Sequence, residues 1–309
     1  MSKKTVLLFS GQGAQEVGMG ADVWEKYESA REIYAAADKQ LGYNLAKLSF
    51  DGPQDLLTRT LHAQPALYVH GYVLLSMLRE LVPSLRYEAV AGLSLGEFTA
   101  HAAAATYSFS DGLTLVQRRA EFMEEAATRT KGSMAALVGG EYADALALAR
   151  EVGADIANLN APGQIVISGP AEAIRKAVNL GREFRIRRVV ELQVAGAYHS
   201  SLMASARVKL GEVLEKTPMQ EPVVEVLSNY KAVPVHDPAE IRDALAKQVT
   251  GSVRWAESMQ LLINGGFTRF VEIGPGGVLT GLMGKINKEV EAFCISDVPS
   301  LVGAVEHLK

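Results

Sequence analysis

Cysteine is the scarcest residue in this chain: Cys294 is the only one. No intrachain disulfide can form, which suits a reducing cytoplasm. Cys294 itself lies in the apolar run AFCIS and reads as core filler. No apolar run approaches the length of a membrane span. The start, MSKKTVLLFSGQG, has two lysines and then only five apolar-leaning residues. That is too short for the apolar region of a signal peptide, and no small-residue cleavage site follows. Positive charge is not in excess either; the formal net charge of −4 gives nucleic acid no reason to bind. No Cys/His spacing fits a metal site, no cofactor is implied, and no repeat or low-complexity linker is visible. What remains is a chain of 309 residues, 48% hydrophobic and 21% charged, the composition of a soluble globular protein. It can bury a large core in one large domain or two unequal ones, and we expect a cytoplasmic monomer.

Apolar runs at Thr5–Ser10, Tyr87–Ala91, Val223–Asn229, Thr268–Ile273 and Ala292–Ser296 read as short buried strands. Helical patterns such as Ala239–Gln248 and Val253–Ile263 separate them, which predicts a largely parallel sheet covered on both faces. The loops GQGAQ, GLSLG and EIGPGG each follow one of these strands and should gather at its carboxyl edge, where such sheets bind ligands. The middle of the chain differs. Strands at Ser133–Gly139, Ala154–Asn160, Ile165–Ser168 and Arg187–Val194, with helices at Ala143–Gly153 and Pro170–Gly181, give the order β-α-β-β-α-β. That is the ferredoxin-like arrangement. We therefore expect a small domain at residues 128–197 inserted into an α/β domain formed by residues 1–127 and 198–309.

The stretch AVAGLSLGEFTA places Ser94 between Gly92 and Gly96 after an apolar strand. G-x-S-x-G fits a nucleophile elbow, a sharp strand-to-helix turn that exposes the serine; a plain Gly-rich bend is the alternative. A serine nucleophile needs a base. His101 is two turns along the helix from Ser94, about 10 Å by helical rise, and cannot reach it. His62 and His70 sit in helical patterns, His236 in a Pro-flanked loop and His307 near the end. His199, in VAGAYHSSLM, stands where the inserted domain closes and a helix starts. It is either a general base at the mouth between domains or a helix-terminal histidine bonding only backbone. In LTLVQRRAEFMEEA, helical spacing puts Arg118 on a solvated face and Arg119 inside the apolar stripe with Leu115, Val116, Phe122 and Met123. A buried guanidinium needs an anion. That anion is an internal carboxylate or the substrate's own, which a planar fork binds with two parallel hydrogen bonds. GQGAQ lacks the Lys-Ser/Thr of a phosphate loop and the third glycine of a dinucleotide fingerprint. Its glycines could instead expose the Gln12 N–H to an oxyanion.

Together, GQGAQ, GLSLGE, QRR followed by FM, NLNAPGQIVISG, GAYHS, KQVTGSVRW and EIGPGGVL resemble, in order along the whole chain, the malonyl-CoA:acyl carrier protein transacylases and related acyltransferase domains. The resemblance implies an α/β-hydrolase-like domain with a ferredoxin-like insert. It implies Ser94 as nucleophile and His199 as base and acid, with Gln248 orienting His199 in place of a triad acid. The N–H groups of Gln12 and Leu95 would form the oxyanion hole. Arg119 would hold the malonyl carboxylate, with Tyr198, Met123 and Asn160 around the acyl group. Malonyl-CoA and acyl carrier protein are the partners it implies, in a ping-pong transfer toward fatty acid or polyketide synthesis. Two positions depart from the pattern. Leu93 replaces a histidine before the serine, and Tyr198 replaces the phenylalanine of GAFH, still a bulky ring.

Alternatives are a relative loading another acyl group, a serine carboxylesterase, or a non-catalytic docking module that would lose Ser94 or His199. One further feature is the arginine cluster in REFRIRRVVEL. On a strand, Arg185 and Arg187 would share one side, either as an edge protected by charge or as a rim attracting an acidic carrier protein.

Overall fold

Among the described residues the chain forms ten strands in two separate sheets. The structure, a computed structural model, describes residues 3–308. Met1 and Ser2, which open the stretch read as carrying no leader, and Lys309 lie outside the described residues. In chain order the strands are β1 (Lys4–Phe9), β2 (Ala89–Gly92), β3 (Gly132–Val138), β4 (Asp155–Ala161) and β5 (Gln164–Pro170). Then come β6 (Arg188–Glu191), β7 (Glu225–Leu227), β8 (Pro234–Val235), β9 (Phe267–Ile273) and β10 (Glu291–Ile295).

The larger sheet has the order β10-β9-β1-β2-β7-β8. All its pairs are parallel except the β7–β8 hairpin at one edge. The sequence suggested one run at Val223–Asn229 and no β8; the apolar stretch pairs for only three residues before the chain turns back. Strand β1 explains why its sequence does not alternate. Leu7 and Phe9 pack on one face with the helix Thr60–Leu81, and Val6 and Leu8 on the other with Trp255 and Met259. Burial on both faces requires a continuous apolar run.

The smaller sheet, β4-β5-β3-β6, is antiparallel throughout. The helices Tyr142–Val152 and Ala171–Leu180 pack on one face through Leu148, Ala149 and Ile174 against Leu137 and Ile165. This is the expected ferredoxin-like βαββαβ unit beside a largely parallel α/β-hydrolase-like sheet. The helix Phe109–Thr130 runs past residue 128, and Lys131, left-handed at φ 45°, turns the chain into β3. The opposite face of the small sheet turns toward the larger body. Strand β4 is tied there by Leu159 N–H to the Val253 carbonyl and Val253 N–H to the Ala157 carbonyl, at 2.9 and 2.8 Å. No helix among the described residues is long and apolar enough to cross a membrane.

Candidate active site

In register, Phe9 lies beside Gly92 and Ile273, so the ends of β1, β2 and β9 are level. The three glycine-bearing loops therefore emerge together on one edge. A cavity of about 380 Å³ opens there, between the loop after β1, Ser94 and the inner face of the small sheet. Gln12, Leu93, Ser94, Met123, Asn160, Tyr198 and His199 all line it.

Ser94 stands at φ 54° and ψ −102°, a backbone region costly for a residue with a side chain. Both glycines are sterically required. A Cβ on Gly92 would lie 1.9 Å from the Gly96 carbonyl carbon, and one on Gly96 would lie 2.1 Å from the Phe9 carbonyl oxygen. The turn is held by Asn229, whose Oδ1 accepts the Ser94 N–H at 2.6 Å and whose Nδ2 donates to the Gly92 carbonyl at 2.8 Å. The elbow is thus pinned on both sides of the serine.

Ser94 Oγ lies 2.7 Å from His199 Nε2. His199 Nδ1 lies 2.8 Å from the Gln248 backbone carbonyl, which can only accept, so Nδ1 carries the proton and Nε2 is free to take one from Ser94. Burial, then the nearby Arg119 charge, lowers the imidazole pKa from its ordinary 6.5 to about 4, against the backbone bonds at Gln248 and Gly251. The ring is neutral at physiological pH.

Gln248 meets His199 through its main chain, and its side chain is engaged elsewhere. Its backbone oxygen orients His199, while Nε2 donates to the Ser94 carbonyl at 2.8 Å and to Glu97 Oε2 at 2.7 Å. The amide, at the end of the helix Pro238–Gln248, points back across the elbow instead of toward the imidazole.

Arg119 is almost completely buried, as its place in the apolar stripe required. Its Nη2 donates to Ser94 Oγ at 2.9 Å and to Gln248 Oε1 at 3.0 Å; Nη1 donates to Gln64 Oε1 at 2.7 Å. All three acceptors are neutral, Nε has no partner, and the guanidinium lies over the Phe98 ring at 5.3 Å. The internal salt bridge open on sequence grounds is not formed. Burial lowers the pKa to about 10, with Glu97 opposing, so the group stays cationic.

For an oxyanion, the Ser94 N–H is taken by Asn229 and the Gly13 N–H by Gln15 Oε1 at 2.7 Å. The N–H groups of Gln12 and Leu95 have no acceptor among the described residues. Gln12 also enters a side-chain chain: Gln64 Nε2 donates to Gln12 Oε1, and Gln12 Nε2 to Thr60 Oγ1, both at 3.2 Å. Thr60 Oγ1 lies 2.6 Å from the Tyr198 hydroxyl. The ring that replaces phenylalanine thus has a partner for its extra oxygen.

Met123 is buried with its sulfur 3.7 Å from Gln64 Nε2, and Asn160 carries an Oδ1 with no partner. His62, His70 and His101 are held elsewhere in the core or its margin, and His236 and His307 are exposed. Cys294 Sγ donates to the Gly274 carbonyl at 3.3 Å, and burial raises its pKa to about 12.

Arg185 and Arg187 depart from expectation. Residues 181–184 form a 3-10 turn, Arg185 is left-handed at φ 58°, and the strand starts only at Arg188. The glycine at 181 and the burial of Ile186 favour the turn, so the strand-face argument for this pair does not hold. Both arginines are exposed, with Arg185 3.9 Å from Asp144. They precede the start of β6, at the end away from Leu192, which lines the cavity; Arg187 is five residues from it, about 16 Å by strand rise.

Residues 6–301 match the acyl transferase domain family. The malonyl CoA-acyl carrier protein transacylase of Bacillus subtilis is 38% identical, covering 99% of this chain and 98% of its own. That of Haemophilus influenzae is 33% identical, with 99% coverage of each. The acyl-carrier-protein S-malonyltransferase of Bartonella henselae superposes with a TM-score of 0.94 at 36% identity, over 99% of both chains. A malonyl-transacylase solved in complex with its type II PKS acyl-carrier protein gives 0.95 at 32% identity, over 98% of this chain and 99% of its own. With its whole length matched and its buried arginine at a serine–histidine pair, the chain belongs to the acyl transferase family, among the malonyl-CoA:acyl carrier protein transacylases.

Proposed function

We propose that this acyltransferase moves malonyl from malonyl-CoA to the phosphopantetheine thiol of acyl carrier protein through a Ser94 ester. The observation that carries the reading is the Arg119 guanidinium, buried with no carboxylate in contact and donating directly to the nucleophile's oxygen. A carboxylate at the far end of the acyl group satisfies it.

In the first half-reaction Ser94 Oγ attacks the thioester carbon as its proton passes to His199 Nε2. The oxyanion is held by the Gln12 and Leu95 N–H groups. Collapse expels the CoA sulfur, which takes the proton from His199. In the second, the carrier thiol gives its proton to His199 and attacks the serine ester; Ser94 leaves and recovers the proton. The Gln248 carbonyl holds the imidazole in the tautomer both halves need. Met123, Tyr198 and Asn160 surround the acyl group, and Leu93 lines the same cavity. In this reading the enzyme acts in the cytoplasm as a monomer, with malonyl-CoA, CoA and the carrier as partners.

The test is to incubate the protein with malonyl-CoA and locate the ester by mass spectrometry, then add carrier protein. Malonyl on Ser94 that passes to the carrier is expected. Release as free malonate at the rate of acylation points to an esterase instead. Malonyl attached elsewhere overturns the nucleophile.

A further inference from the structure

Glu97 is a charged group in the core beside the elbow that the chemistry above does not use. It stands in the first turn of the helix Leu95–Ala103, where a glutamate ordinarily faces solvent and complements the helix dipole. Here it is completely buried. Its Oε2 accepts the Asn229 N–H at 3.0 Å and the Gln248 Nε2 at 2.7 Å, and its Oε1 has no partner. A buried carboxylate without a cation in contact is costly, and so is a buried guanidinium without an anion. The two are connected by one side chain: Gln248 gives its N–H to Glu97 and its oxygen to Arg119. The amide dipole lies with its positive end on the anion and its negative end on the cation, which is the favourable sense.

We propose that Glu97 is a positioning residue that tunes acyl selectivity: it is the resident counter-charge of Arg119, relayed by the Gln248 amide, and it limits how strongly the guanidinium takes a second anion. The inference rests on Arg119 receiving the acyl carboxylate. Neutralising Glu97 leaves the guanidinium uncompensated and removes a like charge from the carboxylate's surroundings. A dicarboxylic acyl group then binds more tightly, and an acyl group without a carboxylate gains nothing.

The groups facing Glu97 allow this to be read without confusion. From the helix Phe109–Thr130 comes Arg119, a cation; from the segment before it comes Tyr107, whose hydroxyl is held neutral by burial. The loop after β7 presents Ser228 and Asn229, and the helix Pro238–Gln248 presents Gln248. On its own helix His101 is buried and neutral, its pKa lowered to about 3. Burial raises Glu97 itself to about 7, against its bonds to Gln248 and Asn229 and the Arg119 charge. It is thus the group near Arg119 that changes charge near neutrality.

The experiment compares Ser94 acylation by malonyl-CoA and acetyl-CoA in wild type and E97Q. Glutamine keeps the shape and can accept both existing hydrogen bonds. In E97Q, KM for malonyl-CoA should fall without a rise in kcat. The malonyl-to-acetyl ratio of kcat/KM should rise by about tenfold, the effect of one buried charge worth one pKa unit. In wild type the same ratio should rise as pH is lowered from about 8 to about 6, and in E97Q it should be flat. Both acyl groups use the same base, so titration of His199 cancels in the ratio. A wild-type ratio that does not move with pH overturns the inference, including where E97Q fails to fold. Equal losses for both acyl groups in a folded E97Q overturn it too. Absence of malonyl-Ser94 in wild type is the distinct outcome that overturns the transferase reading and this inference with it.

Discussion

Replacing Arg119 with alanine separates the two jobs that the structure gives the guanidinium. One is shared by every acyl group: Nη2 donates to Ser94 Oγ at 2.9 Å. Losing a hydrogen bond from a charged donor costs about 1.5–3 kcal/mol. Alanine also leaves the Gln64 and Gln248 oxygens, each bonded to the guanidinium, without that donor. The other job exists only for an acyl group with a carboxylate. Breaking a desolvated charge pair costs about 2–5 kcal/mol, roughly 30-fold to several thousandfold. Acetyl transfer recovers part of its loss, because wild type holds an unpaired cation beside an uncharged acyl group. The expected outcome for Arg119→Ala is a fall of at least about 300-fold in malonyl kcat/KM and of no more than about 100-fold for acetyl. Arg119→Lys keeps the charge without the fork and should fall between. Single-turnover acylation with each acyl-CoA, followed by intact-protein mass spectrometry, measures both rates. Equal losses for malonyl and acetyl would make Arg119 a structural residue and remove the main support for a dicarboxylic substrate.

The other expectations concern the base, the elbow, the ring and the surface. Acylation by acetyl-CoA, which has no carboxylate to sense Glu97, should stay level down to well below pH 6.5 and fall only as His199 protonates near 4; a midpoint near 6.5 in its kcat/KM profile would contradict the burial argument. Stability should also fall with acid. His70, His101 and His199 are buried, with pKa values lowered to about 4, 3 and 4, so below their unfolded value of 6.5 the unfolded chain binds more protons. Tm should therefore drop between about pH 6.5 and pH 4, and a constant Tm there would refute it. Asn229→Ala frees the Ser94 N–H and should lower kcat by about 10- to 100-fold with KM little changed, because the strained turn relaxes. A rise in KM alone would place Asn229 in substrate binding. Tyr198→Ser should raise methylmalonyl transfer relative to malonyl by about 1–3 kcal/mol, and an unchanged ratio removes the steric argument. Arg185→Glu with Arg187→Glu should raise KM for the carrier and flatten its salt dependence, leaving Ser94 acylation unaffected; no change in either makes the pair a solvated turn.

The strands and their edge were legible because burial on both faces demands unbroken apolar runs, and such runs are rare in loops. Their ends were less so. Val223–Asn229 contains enough apolar residues for a long strand, yet only Glu225–Leu227 pairs, since Ser228 and Asn229 are needed at the sheet edge for other bonds. The arginine segment failed for a related reason. Alternation at residues 184–190 suits a strand as well as a turn, and what decides is Gly181 packing against Val189, a contact between residues whose closeness the pattern does not show.

The site divides along the same line. Ser94, His199 and Arg119 could be singled out because each breaks a local rule: a strained serine, a histidine at a domain closure, a charge in an apolar stripe. Thr60, Gln64, Asn229 and Glu97 break no rule loudly enough. Each is polar but uncharged, or charged at a helix start where charge is ordinary, and its importance comes from long-range bonds that bring it to the elbow. Gln248 shows the limit most plainly. The resemblance pointed to the right residue, but the part that meets His199 is the backbone oxygen, which any amino acid would supply. What requires glutamine there is the side chain's simultaneous bond to a carboxylate and a guanidinium, and that requirement exists only because Glu97 and Arg119 are buried on either side of it. The identity of position 248 is therefore set by charge compensation across the elbow, not by orientation of the base.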